Sequence, residues 1–216
     1  FKIQKITQIL SFRRSNGVIF LSKHAQKKVL PLIGKKKNKV VHFGISTRFL
    51  NNNRKFSRDN KLKFLYVSSI HTYKNQLNLL LAFKSLLDEG LDLKLTLVGP
   101  ILNKKFVNYN EMHKIYNNHS IFIFPSICEN MPNILLEACA SKIPIMSSDT
   151  DPMPEFLGDN AIYFNSMDVE NIKETILFSI ENLEFLYENS EKAYVNLKKY
   201  SWKNNFNNTI EFIEEI

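Results

Sequence analysis

The chain has 216 residues, 44% of them hydrophobic and 23% charged, with a net charge of +8. That supplies a sizeable globular core, in a chain too long for the smallest domains and short for two full ones. The leucine-rich run LNLLLAFKSLL, broken by Lys84, falls short of a transmembrane span, and the opening FKIQKITQIL lacks the layout of a signal peptide. Excess positive charge suits an anionic ligand, an anionic membrane face or nucleic acid. With Cys128 and Cys139 outside any CxxC or His cluster, reduced thiols in a cytoplasmic setting and no metal site are expected.

In chain order, residues 1–15 read as a basic amphipathic segment, with Ile3, Ile6, Ile9 and Leu10 apolar and Lys2, Lys5, Arg13 and Arg14 basic. GVIFL (17–21) is a buried strand, Ser22 caps a helix that stops at Pro31 or Gly34, and KVVHF (39–43) is a second strand. Residues 47–62 are polar and aperiodic and read as a linker, with a boundary near residue 46. The strand KFLYVS (63–68) opens the main domain. A helix over 75–89 follows, its buried stripe expected at Leu77, Leu80, Leu81, Phe83 and Leu87 and its stop at Gly90. LKLTLV (93–98) is a strand ending in Gly99-Pro100, and a short helix near 110–118 takes Asn110 as its cap. After residues 121–144 come a strand at 143–147, a short helix from Pro154 to Gly158, a strand at 161–164, and helices over 169–182, 183–198 and 201–216. Strands alternating with helices predict a Rossmann-like parallel sheet with helices on both faces, in which ligands bind outside the carboxyl ends of the strands. Polar loops follow each of the strands at 63–68, 93–98 and 121–124, so they can converge on one cleft.

Residues 121–144, IFIFPSICENMPNILLEACASKIP, carry the chemistry. A buried strand (121–124) leads through a polar loop into a helix that Pro132 confines to a start near Met131 or Pro132, with Asn130 or Met131 near the cap. Glu129 lies in the loop and Glu137 in the helix, seven residues intervening. On a single helix they would stand about 12 Å apart. With Pro132 between them, Glu129 hangs at the loop mouth and Glu137 points up from the second turn. The unpaired N–H groups of the helix start lie between and form an anion site. Carboxylate, phosphate-sized hole and carboxylate suit a sugar, a diphosphate and a ribose. The spacing equally fits a surface glutamate and a half-buried, hydrogen-bonded one.

The stretch PSICENMPNILLEA, with FIFPS before it, A-x-x-P after it and MPEFLGDNAIYF further on, resembles the E-x7-E region of group 1, GT4-like glycosyltransferases. These are retaining, nucleotide-sugar-dependent enzymes of the GT-B fold. The resemblance covers about residues 17–202 and divides the chain into the tail of an acceptor-binding N-terminal domain (1–46), a linker (47–62), a donor-binding C-terminal domain (63–200) and a closing helix (201–216). The remainder of the N-terminal domain is absent from this sequence. The resemblance assigns catalytic roles to Glu129, at the donor sugar, and Lys74, at the diphosphate. Glu137 would accept the ribose hydroxyls, the N–H groups of Asn133 and Ile134 would hold phosphate or sugar, and Gly99 and Ser69 would line the nucleotide. No metal or cofactor beyond the nucleotide sugar is implied. The implied partner is a glycan or lipid-linked acceptor; the net charge leaves peripheral contact with the anionic inner face of the membrane open, and no nucleic-acid partner is expected.

Several positions depart from the family. Ser68 and Ser69 stand where Gly-Arg is usual, and Asn75 and Lys142 stand where glycine is usual. Lys104 or Lys105 is left to replace the missing arginine. Between Gly99 and Asn110 a strand–helix unit of roughly thirty residues, the size of a βαβ increment, is missing. Ser126 and Glu155 also match family positions but read as structural, and His71 and His113 read as surface or packing residues. Two rival readings follow: a nucleotide-sugar-binding module without turnover, and a basic nucleic-acid-binding protein. The second needs aromatics interleaved with exposed cations, whereas the Phe and Tyr here fall mostly at buried periodicity.

Overall fold

The structure, a computed structural model, describes residues 2–50, 54, 62–99 and 107–216. Its residues group into two compact units, Phe1–Gly44 with Lys199–Ile216 and Ile45–Lys198.

The first unit opens with α1 (Lys2–Arg14), β1 (Gly17–Phe20), α2 (Lys23–Ile33) and β2 (Lys37–Val40). The two strands pair in parallel from Gly17 beside Lys37 to Phe20 beside Val40. The second strand therefore starts two residues before the expected 39–43, because its length is set by the four residues of β1; Val41 adds one last bond to the Phe20 carbonyl. Ser22 caps α2 as expected, its hydroxyl accepting from the Ala25 N–H at 3.1 Å. The helix runs through Pro31 and stops at Gly34, whose φ of +80° closes the turn. Val18, Phe20 and Ile33 form the core here, with Ile9 and Phe12 of α1 packed on them. The remaining apolar residues of α1, Ile3, Ile6 and Leu10, are exposed, so its apolar positions divide between two faces.

The second unit holds β3 (Leu62–Val67), α3 (Gln76–Asp88), β4 (Leu93–Val98), α4 (Met112–Asn117), β5 (Ile121–Phe124), α5 (Asn133–Ala140), β6 (Ile145–Ser148), α6 (Met153–Leu157), β7 (Ile162–Phe164), α7 (Val169–Glu181) and α8 (Leu183–Asn196). The five strands form one parallel sheet in the order β4-β3-β5-β6-β7. Phe64, Leu65, Phe122 and Ile123 at its centre are fully buried, and their near-continuous apolar runs are those of strands covered on both faces. Among the described residues β4 pairs on one side only, consistent with the short connection after Gly99. Most of that connection, including Lys104 and Lys105, lies outside the described residues.

Three expectations need correction. The stretch 47–62 was expected as a linker, yet Thr47–Phe49 forms a 3₁₀ turn whose Phe49 is 2% exposed. Its ring meets those of Tyr109 and Tyr116 edge-on, at 5.9 and 5.8 Å. The unit thus starts at Ile45; residues 51–53 and 55–61 lie outside the described set. On α3 the buried face is Leu79, Ala82, Phe83 and Leu86, while Leu77, Leu80, Leu81 and Leu87 are exposed. The helix is apolar almost all round, so spacing alone did not select the face that Phe64 meets through Phe83 at 5.1 Å. Asn110 is not the cap of α4: the side chain of Asn108 accepts the Asn110 N–H at the 3₁₀ turn Tyr109–Glu111, and Glu111 precedes α4 with no side-chain capping bond.

The final helix, α9 (Trp202–Glu214), belongs to the first unit instead of standing apart. Its Phe212 ring lies where a Cβ on Gly17 would come within 2.8 Å, so the glycine permits the close packing.

The two residues that replace family glycines show why glycine is usual there. Asn75 (φ +53°) and Lys142 (φ +54°) are the non-glycine residues with left-handed backbone among those described. Asparagine tolerates this conformation through its short polar side chain. At Lys142 the conformation is offset by an ion pair with Glu191 at 2.8 Å and by the Tyr194 ring, 4.6 Å from the ammonium.

Candidate functional site

The carboxyl ends of β3, β4 and β5 and the start of α5 face one region, as the polar loops suggested. Two clusters of the expected residues assemble there.

The first is an ion pair. Lys74 ends a 3₁₀ turn (Thr72–Lys74) that follows β3 and is 8% exposed. Its ammonium lies 2.5 Å from Glu129 Oε1. The aromatic faces of Tyr73 and Phe124, at 5.3 and 5.6 Å, complete the cation's surroundings. The Ser126 hydroxyl donates to the same Glu129 oxygen at 2.6 Å, and the Ser148 hydroxyl donates to the Ser126 carbonyl at 2.5 Å. An Ile127 N–H bond to the Tyr73 carbonyl at 2.9 Å ties the two loops together. The loop glutamate is thus held both by its own loop and by a lysine fifty-five positions before it in sequence. Ser126, read as structural from the sequence, is fully buried and fixes the Glu129 carboxylate through its hydroxyl.

The second cluster is a cavity of about 270 Å³ whose lining includes Ser68, Ser69, Gly99, Tyr109, Ile134 and Glu137. Glu137 is reached by two hydroxyls: Tyr109 donates to Oε1 at 2.9 Å, and Tyr116 points to Oε2 and to the Ile134 carbonyl, both at 3.3 Å. Burial raises the Glu137 carboxyl above its ordinary range, and the two tyrosine hydroxyls pull it back down. Tyr109 and Tyr116 were missed in the sequence. Both lie on the short 3₁₀–helix segment before β5, which offers no motif; only their aromatic-plus-hydroxyl character near a predicted pocket marks them.

The start of α5 differs in detail from the expectation. Pro132 is the cap residue (φ −78°, ψ 82°), and the helix begins one residue later at Asn133. The Asn133 N–H already donates to the Met131 carbonyl at 2.9 Å and its residue is exposed, so Asn133 does not offer the phosphate-binding N–H expected of it. Ile134, which lines the cavity, occupies the next position. Ser69 lines the cavity in place of the family's arginine and, through its carbonyl, accepts from the Gln76 side chain at 2.8 Å.

Gly99 serves close approach: a Cβ there would sit 1.9 Å from the Ser68 carbonyl oxygen. Gly99→Ala is expected to push β4 off β3 at the cavity wall and to destabilise the unit by about 1–3 kcal/mol. Urea denaturation that finds no change would show that the strand ends give way freely.

Open parallel sheets place their ligand sites outside the carboxyl ends of the strands, and the two carboxylates, the buried lysine and the start of α5 lie there in this unit. Residues 61–182, more than half of the chain, match the family described as glycosyl transferases group 1. The chain belongs to that family. Two curated relatives from Escherichia coli match about half of the chain: O-antigen chain mannosyltransferase B, 26% identical over 105 residues, and the serotype-specific mannosyltransferase WbdA, 27% identical over 106. The chain spans 28% and 13% of their lengths. Among solved structures, an S. aureus TarM variant in complex with fondaparinux, alpha-GlcNAc-glycerol and UDP superposes with a TM-score of 0.83 at 17% identity, over 98% of this chain and 46% of that one. Sucrose-phosphate synthase from Thermosynechococcus elongatus gives 0.81 at 11% identity, over all of this chain and 62% of its own. These likenesses establish the GT-B type of fold.

Proposed function

We propose that the chain provides the donor site of a retaining glycosyltransferase, which moves a sugar from a nucleoside diphosphate to a glycan or lipid-linked acceptor in cell-surface polysaccharide synthesis. The observation that carries this reading is the placement of Glu137 in a cavity at the strand ends, with the Lys74–Glu129 pair set at the neighbouring loops. Glu137 accepts the ribose hydroxyls. Lys74 turns from Glu129 toward the diphosphate and stabilises the charge that builds on it as the bond from the anomeric carbon to the phosphate oxygen breaks. The acceptor hydroxyl attacks from the face the diphosphate leaves, and its proton passes to the departing phosphate oxygen. Glu129, released from the ammonium and still held by Ser126, contacts the donor sugar. No metal ion is required in this scheme. The curated relatives are mannosyltransferases, so mannose is the sugar to test first.

A thermal-shift panel of GDP, UDP, ADP and their sugars tests the reading. One nucleotide is expected to stabilise the protein, by about 2.7 kcal/mol at a concentration one hundred times its Kd. A flat response to the whole panel rejects the donor site. Binding without turnover in the presence of acceptor favours the non-catalytic module instead.

The membrane partner rests on a separate observation. Residues 1–44 contain eleven lysines and arginines and no aspartate or glutamate, while 199–216 add two lysines and three glutamates. The first unit therefore carries +10 and the second −2. Exposed Lys27, Lys28 and Lys35, together with exposed Ile3, Ile6 and Leu10 of α1, suit the anionic cytoplasmic face of a membrane. The protein is expected to sediment with phosphatidylglycerol vesicles and not with phosphatidylcholine alone. Replacing Lys27, Lys28 and Lys35 by Gln should weaken this by about 1 kcal/mol per charge. Equal binding to neutral vesicles, or a preference for duplex DNA over anionic vesicles, overturns it.

A further inference from the structure

We infer that the Tyr109 hydroxyl stands in for a ribose hydroxyl on Glu137, so that nucleotide binding at this site is an exchange of one hydroxyl for another and Tyr109 sets how strongly the site demands a ribose. The inference rests on the donor-site reading above and names a residue that reading does not use.

The two tyrosines on Glu137 are not equivalent. Tyr116 is fully buried and packed between Phe49 and Phe122, with ring centroids 5.8 Å away on both sides. Its hydroxyl is shared between Glu137 Oε2 and the Ile134 carbonyl. It cannot leave without opening the core. Tyr109 is 51% exposed, lies on a one-turn 3₁₀ segment and lines the cavity itself. It makes the shorter bond, 2.9 Å, to the other carboxylate oxygen. So one oxygen of Glu137 is held by the core, and the other is covered by a side chain that can swing away.

A carboxylate in a largely apolar cavity is costly to leave without donors. Burial and the adjacent Glu137 charge push the Tyr109 hydroxyl up to about 12, so near neutral pH it stays a proton donor to Glu137. In the empty site it keeps a donor on that carboxylate oxygen. When a nucleotide arrives, a ribose hydroxyl takes over that oxygen, and the gain is reduced by the bond that Tyr109 gives up. A ligand with no ribose hydroxyls leaves Tyr109 in place and forgoes the exchange. The wild-type site therefore distinguishes ribose from dideoxyribose less strongly than Glu137 would without the Tyr109 hydroxyl, and loss of that hydroxyl sharpens the distinction, because the donor it supplied then comes from the ligand.

Tyr109→Phe separates this from a structural role. The ring, with its edge contact to Phe49, is kept, and only the hydroxyl is removed. Calorimetric titrations of wild type and variant with GDP, UDP and ADP, each beside its 2′,3′-dideoxy counterpart, supply the readout. The variant is expected to bind the preferred ribonucleotide about tenfold more tightly, which corresponds to ~1.4 kcal/mol, and its dideoxy counterpart with unchanged affinity. Tyr116→Phe provides the contrast. It should weaken the ribonucleotide and move the pH dependence of binding upward, since one of the donors that lowers the Glu137 carboxyl is gone. An unchanged ribo-to-dideoxy ratio in Tyr109→Phe, or equal weakening of both ligands, makes Tyr109 an ordinary packing or positioning residue. If wild type and Tyr109→Phe both bind none of these nucleotides, the donor-site reading and this inference fall together. Nucleotide binding by wild type with no change of ratio in the variant sinks the inference alone.

Discussion

Glu137→Ala is expected to lower affinity for the preferred nucleoside diphosphate by ten- to a hundredfold, the equivalent of about 1.5–3 kcal/mol for hydrogen bonds to a charged acceptor. The carboxylate is the acceptor at which the cavity, Tyr109 and Tyr116 converge. Its removal takes away the ribose contact and leaves the buried Tyr116 hydroxyl with only the Ile134 carbonyl at 3.3 Å. The loss should be confined to ligands that carry ribose hydroxyls, so the dideoxy counterpart serves as the internal control. Equal nucleotide affinity in wild type and Glu137→Ala rejects the assignment. The same group predicts opposite pH trends for folding and binding. Its carboxyl is raised in the folded protein, chiefly by burial, so the folded state favours the protonated form. The stability it contributes is present below the unfolded pKa and is lost as pH rises through the folded one. Nucleotide binding needs the ionised acceptor and strengthens over the same rise. Titrating both quantities across the acidic range, in wild type and in Glu137→Gln, checks the sign. A glutamine that keeps both trends would remove Glu137 as their source.

Lys74→Ala should act twice. In the absence of ligand it strands Glu129, whose side chain is 13% exposed, beside the Ser126 hydroxyl with no counter-ion. Breaking a buried pair from one side costs about 3–5 kcal/mol. The unfolding midpoint of the unit should fall by about 2–4 °C for each of those kcal/mol. In the presence of ligand, the variant should lose affinity for a nucleoside diphosphate while holding its affinity for the nucleoside, because the ammonium meets phosphate and not base or ribose. Lys74→Met keeps the aliphatic stem between Tyr73 and Phe124 and isolates the charge. A second change, Glu129→Gln on the Lys74→Met background, should recover part of the stability without recovering diphosphate affinity. An unchanged ratio of diphosphate to nucleoside affinity would reduce Lys74 to a structural ion-pair partner. The two readouts are separate, so the structural and the ligand roles stand or fall on their own.

Strand and helix order was legible in the sequence because each signal is local. β5 was fixed by four apolar residues bounded by Pro125, and β4 by six residues before Gly99. The start of α5 was confined by Pro132 to within a residue or two, and the alternation of strand and helix implied the parallel sheet. The positions of Glu129, Glu137 and Lys74 were legible for the same reason, since they sit at fixed offsets from strand ends and a proline. Even the departures from the family pattern were informative: Asn75 and Lys142, standing for glycine, take the left-handed backbone that glycine would take most easily.

What the sequence could not decide depended on a partner distant along the chain. The buried face of α3 was undetermined because leucines lie on both sides of it; the sheet, through Phe64 and Phe83, made the choice. Phe49 looked like part of a polar linker until the rings of Tyr109 and Tyr116 surrounded it. The extent of β2 followed from β1, not from its own apolar residues. At the site, Lys74 and Glu129 each carried a recognisable role, but their ion pair exists only because β3 and β5 lie side by side and bring their loops together. Local pattern thus determined which residues are available, and the pairing of β3 with β5 and the packing of the segment at 109–117 decided which of them meet. A charge paired across loops and a carboxylate served by two tyrosines are properties of spatial neighbours, which no window of sequence contains.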